Sequence, residues 1–188
     1  MLRKTIKNIA LLDLQNFTAE ALREIKKIES CAMLLVPKNA SDEWKNAYAK
    51  ITIRNVASII EVSYSKYSVL NGMVTLNDKN VSDDCLYIVN GIIILETVEK
   101  IPDLCVNGLL LKRKKSRYEM TRMNGRSVEV EDNVVIKPYP NTIEIDGDTV
   151  RSFDYNTLVA AGNNVDIDNN VTEQMLSDKK ITFAAGNE

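Results

Sequence analysis

Two stretches decide the fold: Asn90-Gly91-Ile92-Ile93-Ile94-Leu95 and, 17 residues on, Asn107-Gly108-Leu109-Leu110-Leu111. Each begins with a dipeptide that tolerates positive φ and so can turn the chain, and continues with an unbroken apolar run. Working outward, the same dipeptide recurs at Asn71-Gly72 and Asn124-Gly125, with a close variant at Asp146-Gly147; the spacings are 19, 17, 17 and 22 residues. The residues that follow are strand-like, as in Met73-Val74-Thr75-Leu76 and Ser127-Val128-Glu129-Val130. A hairpin turn and the corner of a coil both suit an Asn-Gly step. Continuous apolar runs favour coils, because stacked parallel strands are buried on both faces whereas one-sided hairpins alternate.

The first third carries a different repeat. Strand patterns at Ile9–Leu14, Cys31–Val36 and Val56–Val62 start 22 and 25 residues apart. Between the first two, Thr18 precedes a segment to Ile28 whose apolar positions 21, 22, 25 and 28 share a helical face. Between the second and third, Ser41-Asp42-Glu43 opens a helix that puts Trp44, Ala47 and Tyr48 together. Strand and helix alternating over short connections predict parallel strands.

The spacing Cys31-x-x-Leu34-x-Val36-x-x-Asn39 resembles the strand motif of the leucine-rich repeats. The resemblance covers about a third of the chain. Ile9, Leu12 and Leu14 fit with Asn16 one position early, and Ala57, Ile60 and Val62 fit with Ser65 in the asparagine position. It implies a strand-plus-helix coil and no particular activity.

Beyond residue 130, short strands are expected at Val134–Ile136, Thr142–Ile145, Leu158–Ala160, Val165–Ile167 and Ile181–Ala184, with a helical turn at Val171–Leu176. The expected fold is thus mainly β with an N-terminal α/β part: a right-handed β-solenoid with helices on its first two coils and helix concentrated before residue 50. It forms one continuous domain over 1–188, with strand–helix coils over 1–65 and all-β coils over 66–188. An antiparallel β-sandwich after an α/β start is the alternative.

Composition narrows the chemistry. The chain has no histidine, which removes His-based acid–base catalysis, Ser-His-Asp and Cys-His nucleophiles, and His-ligated metals. Cys31, Cys85 and Cys105 lie among apolar neighbours without a Cys-x-x-Cys pair and read as small buried strand residues. Hydrophobic residues make up 45% and charged residues 27%, the mix of a folded chain, and a net charge of -2 is a poor match for polyanions or anionic membranes. The start Met1-Leu2-Arg3-Lys4 is followed by an apolar stretch broken at Lys7, Asn8 and Asp13, so no export signal is expected; cytoplasmic localisation and no membrane partner follow as expectations.

One segment concentrates charge. Residues 112–126 hold seven bases against Glu119, and Lys112, Arg113, Lys114, Lys115 and Arg117 form the candidate anion-binding set, with Tyr118 as a stacking group. A solvated edge that discourages aggregation explains the same residues. The acids at Glu144, Asp146, Asp148, Asp154, Asp166 and Asp168 fit no calcium loop and read as turn residues. No catalytic residue, metal or cofactor is assigned. The function expected is a structural or protein-interaction solenoid, with a carboxylate-based carbohydrate-active enzyme and an anionic-ligand or nucleic-acid binder as alternatives. The expected partners are a second copy, as a dimer through terminal coils or the basic loop, or another protein.

Overall fold

The computed structural model describes residues 4–63 and 66–187. Contacts divide the chain into two compact units, Met1–Tyr64 and Ser65–Glu188, within a residue of the place where the sequence repeat changes. Strands dominate, and all the strand pairs among the described residues are parallel. The antiparallel alternative is therefore incorrect: the apolar runs need cover on two faces, which parallel strands with crossover connections receive.

The first unit is a three-stranded sheet in the order β1 (Lys4–Asp13), β2 (Ile25–Pro37), β3 (Thr52–Val62). Its crossovers carry α1 (Ala19–Arg23) and α2 (Asp42–Tyr48). Thr18 and Ser41 cap them, their hydroxyls accepting from the Ala21 and Trp44 amides at 3.2 Å each. The helix expected to reach Ile28 stops at Arg23. Ile25 and Ile28 instead lie on β2 and still enter the core beside Leu22, so tertiary pairing with β1 and β3 overrides the helical spacing. Each strand is longer than its apolar run because it passes through a left-handed residue, Asn8, Ser30 or Asn55, with φ of 59°, 53° and 51°. These three share one column of the sheet register. Cys31, Leu34 and Val36 all face the same core, and Trp44 stacks on Tyr48 while its indole N–H donates to the Phe17 carbonyl at 2.9 Å.

In the second unit, β4 (Lys66–Asn77), β5 (Cys85–Glu96), β6 (Asp103–Arg113) and β7 (Glu119–Val130) form one sheet in chain order. Contrary to expectation, the Asn-Gly steps are not corners between pairs of short strands. They lie within continuous strands, Asn71, Asn90, Asn107 and Asn124 in one column and the four glycines in the next. The glycines have φ of 82°, 127°, 130° and 134°, so the backbone changes hand at this column while pairing continues on both sides. Asp146-Gly147 does not belong to the series: the Asp146 carboxylate accepts from the Thr149 amide at 2.8 Å and caps a helix that begins at Gly147.

That helix, α3 (Gly147–Ser152), and α4 (Glu173–Lys179) correct the expectation that helix is concentrated before residue 50, since as much helix lies after it as before. They alternate with short strands β8 (Val135–Tyr139), β9 (Ile143–Ile145), β10 (Thr157–Ala161), β11 (Val165–Ile167) and β12 (Thr182–Ala185), which pair as β12-β10-β8 and β11-β9. The helical turn expected at Val171–Leu176 falls on α4. Capping residues Asp146 and Thr172 signal both helices, but six and seven residues are too few for a clear apolar period.

Ile92 and Ile94 of β5, with Leu109 and Leu111 of β6, pack against Leu158, Ala160 and Ala184 of the three-stranded sheet. Ile93, Leu95 and Leu110 point the other way, into a core with Tyr87, Val89, Leu104 and Val106. Alternate side chains thus enter two cores, and the run has no solvent face to mark with polar residues. The three cysteines lie on β2, β5 and β6, buried and unpaired with one another.

Candidate interaction surface

The asparagine column is the most ordered polar feature of the second unit. Its amides form a chain in one direction: Asn124 donates to Asn107 at 3.1 Å, Asn107 to Asn90 at 3.0 Å and Asn90 to Asn71 at 2.9 Å, each from Nδ2 to Oδ1. Next to it, the glycine column brings backbones close. A Cβ on Gly91 would lie 2.2 Å from the Gly72 carbonyl oxygen, one on Gly108 2.2 Å from that of Gly91, and one on Gly125 2.0 Å from that of Gly108. A Cβ on Gly72 would meet nothing within 4 Å. Glycine is thus demanded by its neighbour in β5, β6 and β7, but in β4 only by φ.

The connections stack as well. The Asp78 carboxylate, in the turn after β4, accepts from the backbone amides of Val98, Glu99 and Lys100 in the turn after β5, with the Lys100 contact at 2.9 Å. These donors, the Lys100 amide foremost, hold the Asp78 carboxyl below its ordinary value of 3.8. Folding therefore lowers this pKa, so its contribution to stability is complete above pH 3.8 and is lost as pH falls through the lower folded-state value. Asp78→Asn should lower the urea midpoint at pH 7, and the gap from the original protein should narrow as pH is lowered below 3.8; a gap that stays constant over that range would contradict this role. Asp83 accepts from the Ile101 amide at 2.8 Å, and Asp103 binds the Thr121 amide and hydroxyl at 3.0 and 2.6 Å.

The candidate anion-binding residues lie at the end of β6 and in the turn that follows. Lys112 is 3.4 Å from Glu129 and sits over the Tyr118 ring, 5.7 Å from its centroid. Arg113 reaches Glu96 at 3.5 Å and donates to the carbonyls of Glu131 and Val134, and Lys114 is 3.4 Å from Glu131. Lys115 and Arg117 are exposed. Three of the five bases therefore face carboxylates from neighbouring strands and turns, and Tyr118, expected as a stacking group, lies under Lys112. Three of the acids of the last third are likewise engaged: Asp148 with Arg151, Asp154 with Lys137, and Asp168 with the Asn170 amide. Among the described residues no group of three or more His, Cys, Asp or Glu side chains is arranged to hold a metal ion.

Exposed apolar side chains gather on β4, which among the described residues has a sheet neighbour on one side only: Tyr67, Val69 and Met73 are 37, 42 and 48% exposed. In the same columns of β5, Leu86, Ile88 and Ile92 are fully buried. The sequence reading missed this edge, although Asn71-Gly72 signals it by repeating the asparagine and glycine of the inner strands. Two open clefts of about 370 and 390 Å³ adjoin the same sheet, the first between the asparagine–glycine columns and Gly162, Asn163, Gly186 and Asn187, the second between Arg126, Asp166 and Phe183. Among the described residues no helix is long and apolar enough to cross a membrane. No protein-family model, no curated protein and no solved structure matches the chain.

Proposed function

We propose that the chain is a structural or protein-interaction module whose body is a right-handed β-solenoid and whose working surface is the β4 edge. The observation that carries this is the stacking of identical residues, asparagine on asparagine and glycine on glycine, across four parallel strands. Stacking of that kind is what repeated coils produce, and right-handed crossovers are the rule for parallel strands. An array of coils ends in edge strands that offer unpaired backbone groups and incompletely covered side chains. On β4 these include Tyr67, Val69 and Met73. The acid partners of Lys112, Arg113 and Lys114 weigh against a free anion-binding patch, since their charge is already balanced within the molecule.

Site-specific photo-crosslinking in the producing cells tests the reading. A photoreactive side chain at Val69 is expected to give a discrete protein adduct, and the same group at exposed Asp148 is expected to give none. No adduct at Val69, or equal adducts at both positions, would overturn it.

A further inference from the structure

We propose that β7 of one copy adds to β4 of a second copy, parallel and in register, so that chains associate head to tail through the asparagine–glycine columns. The inference rests on the solenoid reading and names its partner as the protein itself. Two independent features point the same way along the stack.

The first is the polarity of the amide chain. Each Asn Nδ2 donates to the Oδ1 of the preceding strand, which among the described residues leaves the Nδ2 of exposed Asn71 at one end and the Oδ1 of exposed Asn124 at the other. Placing β7 of a second copy before β4 joins these two ends with the donor and acceptor sense already present inside the column. The second is steric. Each glycine carbonyl approaches the α-carbon of the glycine in the following strand so closely that no other residue fits. By the same geometry, the Gly125 carbonyl accepts only glycine in a strand that follows it, and β4 supplies Gly72, whose own α-carbon faces open space. The three-stranded sheet makes no such offer: the column of Gly162 and Gly186 starts at Pro140, a residue with a Cβ where the operation calls for glycine.

The flanking columns agree. Following the observed register, Glu119 aligns with Tyr67, next to Lys66; Arg122 aligns with Val69 and Arg126 with Met73. Lys66 is the only charged residue on β4, so no like charges oppose one another, while the charges on β7 discourage pairing with arbitrary strands. The contact is heterologous: each added copy leaves one β4 and one β7 edge open, and growth does not stop at two.

Sedimentation velocity of the purified full chain over a concentration series at low salt tests this. The expected result is a mass that rises with concentration beyond that of a dimer. Gly72→Ala should keep the fold, because its Cβ meets nothing in a single molecule, yet weaken association at least about tenfold by meeting the neighbour's Gly125 carbonyl. Asn71→Asp gives a second, independent variant: it still accepts from Asn90 but has no amide to donate to Asn124 of the next copy, and should weaken association in the same way. Circular dichroism and melting establish that both remain folded. A strictly monomeric original protein, a dimer that does not grow, or assembly unchanged in both variants would overturn the proposal. A Val69 adduct with a different protein, together with a monomeric original, would sink this inference and leave the interaction reading standing.

Discussion

Gly108→Ala is expected to lose about 2–6 kcal/mol of stability, combining roughly 1–3 for backbone strain with roughly 1–3 for overpacking. The residue has φ of 130°, and the added Cβ would lie 2.2 Å from the Gly91 carbonyl oxygen. That oxygen belongs to the neighbouring strand and cannot retreat without disturbing the pairing between β5 and β6. Gly72→Ala makes the informative comparison. It keeps the conformational penalty, about 1–2 kcal/mol, but meets no neighbour. Urea denaturation of the two variants separates the causes. Equal losses would mean that φ alone demands glycine in this column, and that strand spacing plays no part.

The second large effect concerns the apolar run of β5. Ile92→Ala and Ile93→Ala are each expected to cost about 2–5 kcal/mol, even though adjacent side chains of a strand point in opposite directions. Both are fully buried, Ile92 in the core shared with the three-stranded sheet and Ile93 in the core beneath Val89 and Val106. In a sheet with one wet face, one of the pair would be nearly neutral. Met73→Ala, in the same column as Ile92 but on the edge strand and 48% exposed, is expected to cost less than about 1 kcal/mol, since little area leaves water there. Denaturant midpoints for the three variants decide the matter: a small loss at either isoleucine would contradict burial on both faces.

Local chemistry was legible along the chain. Asn-Gly steps at 17- and 19-residue spacing carry a repeat, unbroken apolar runs require cover on two sides, and the capping residues Thr18 and Ser41 mark the starts of α1 and α2. Each depends on one residue and its near neighbours, so the sequence by itself favoured parallel strands over an antiparallel sandwich and marked a change of repeat near residue 65, buried cysteines and the exclusion of histidine chemistry; strand pairing settled the direction. Where α1 ends, and whether Asn-Gly interrupts a strand or lies inside one, depended on partners 17 to 25 residues away. Ile25 could extend a helix by its spacing, but pairing with Lys4 placed it on β2. The same holds for the surface. Seven bases in fifteen residues look like an anion site until Glu96, Glu129 and Glu131, brought from other strands and turns, balance three of them. Only the tertiary structure decided that Asn71 and Asn124 stand at opposite ends of one column with complementary amide groups, because the direction of a hydrogen-bond chain is a property of stacked strands and has no trace in the order of residues along one of them.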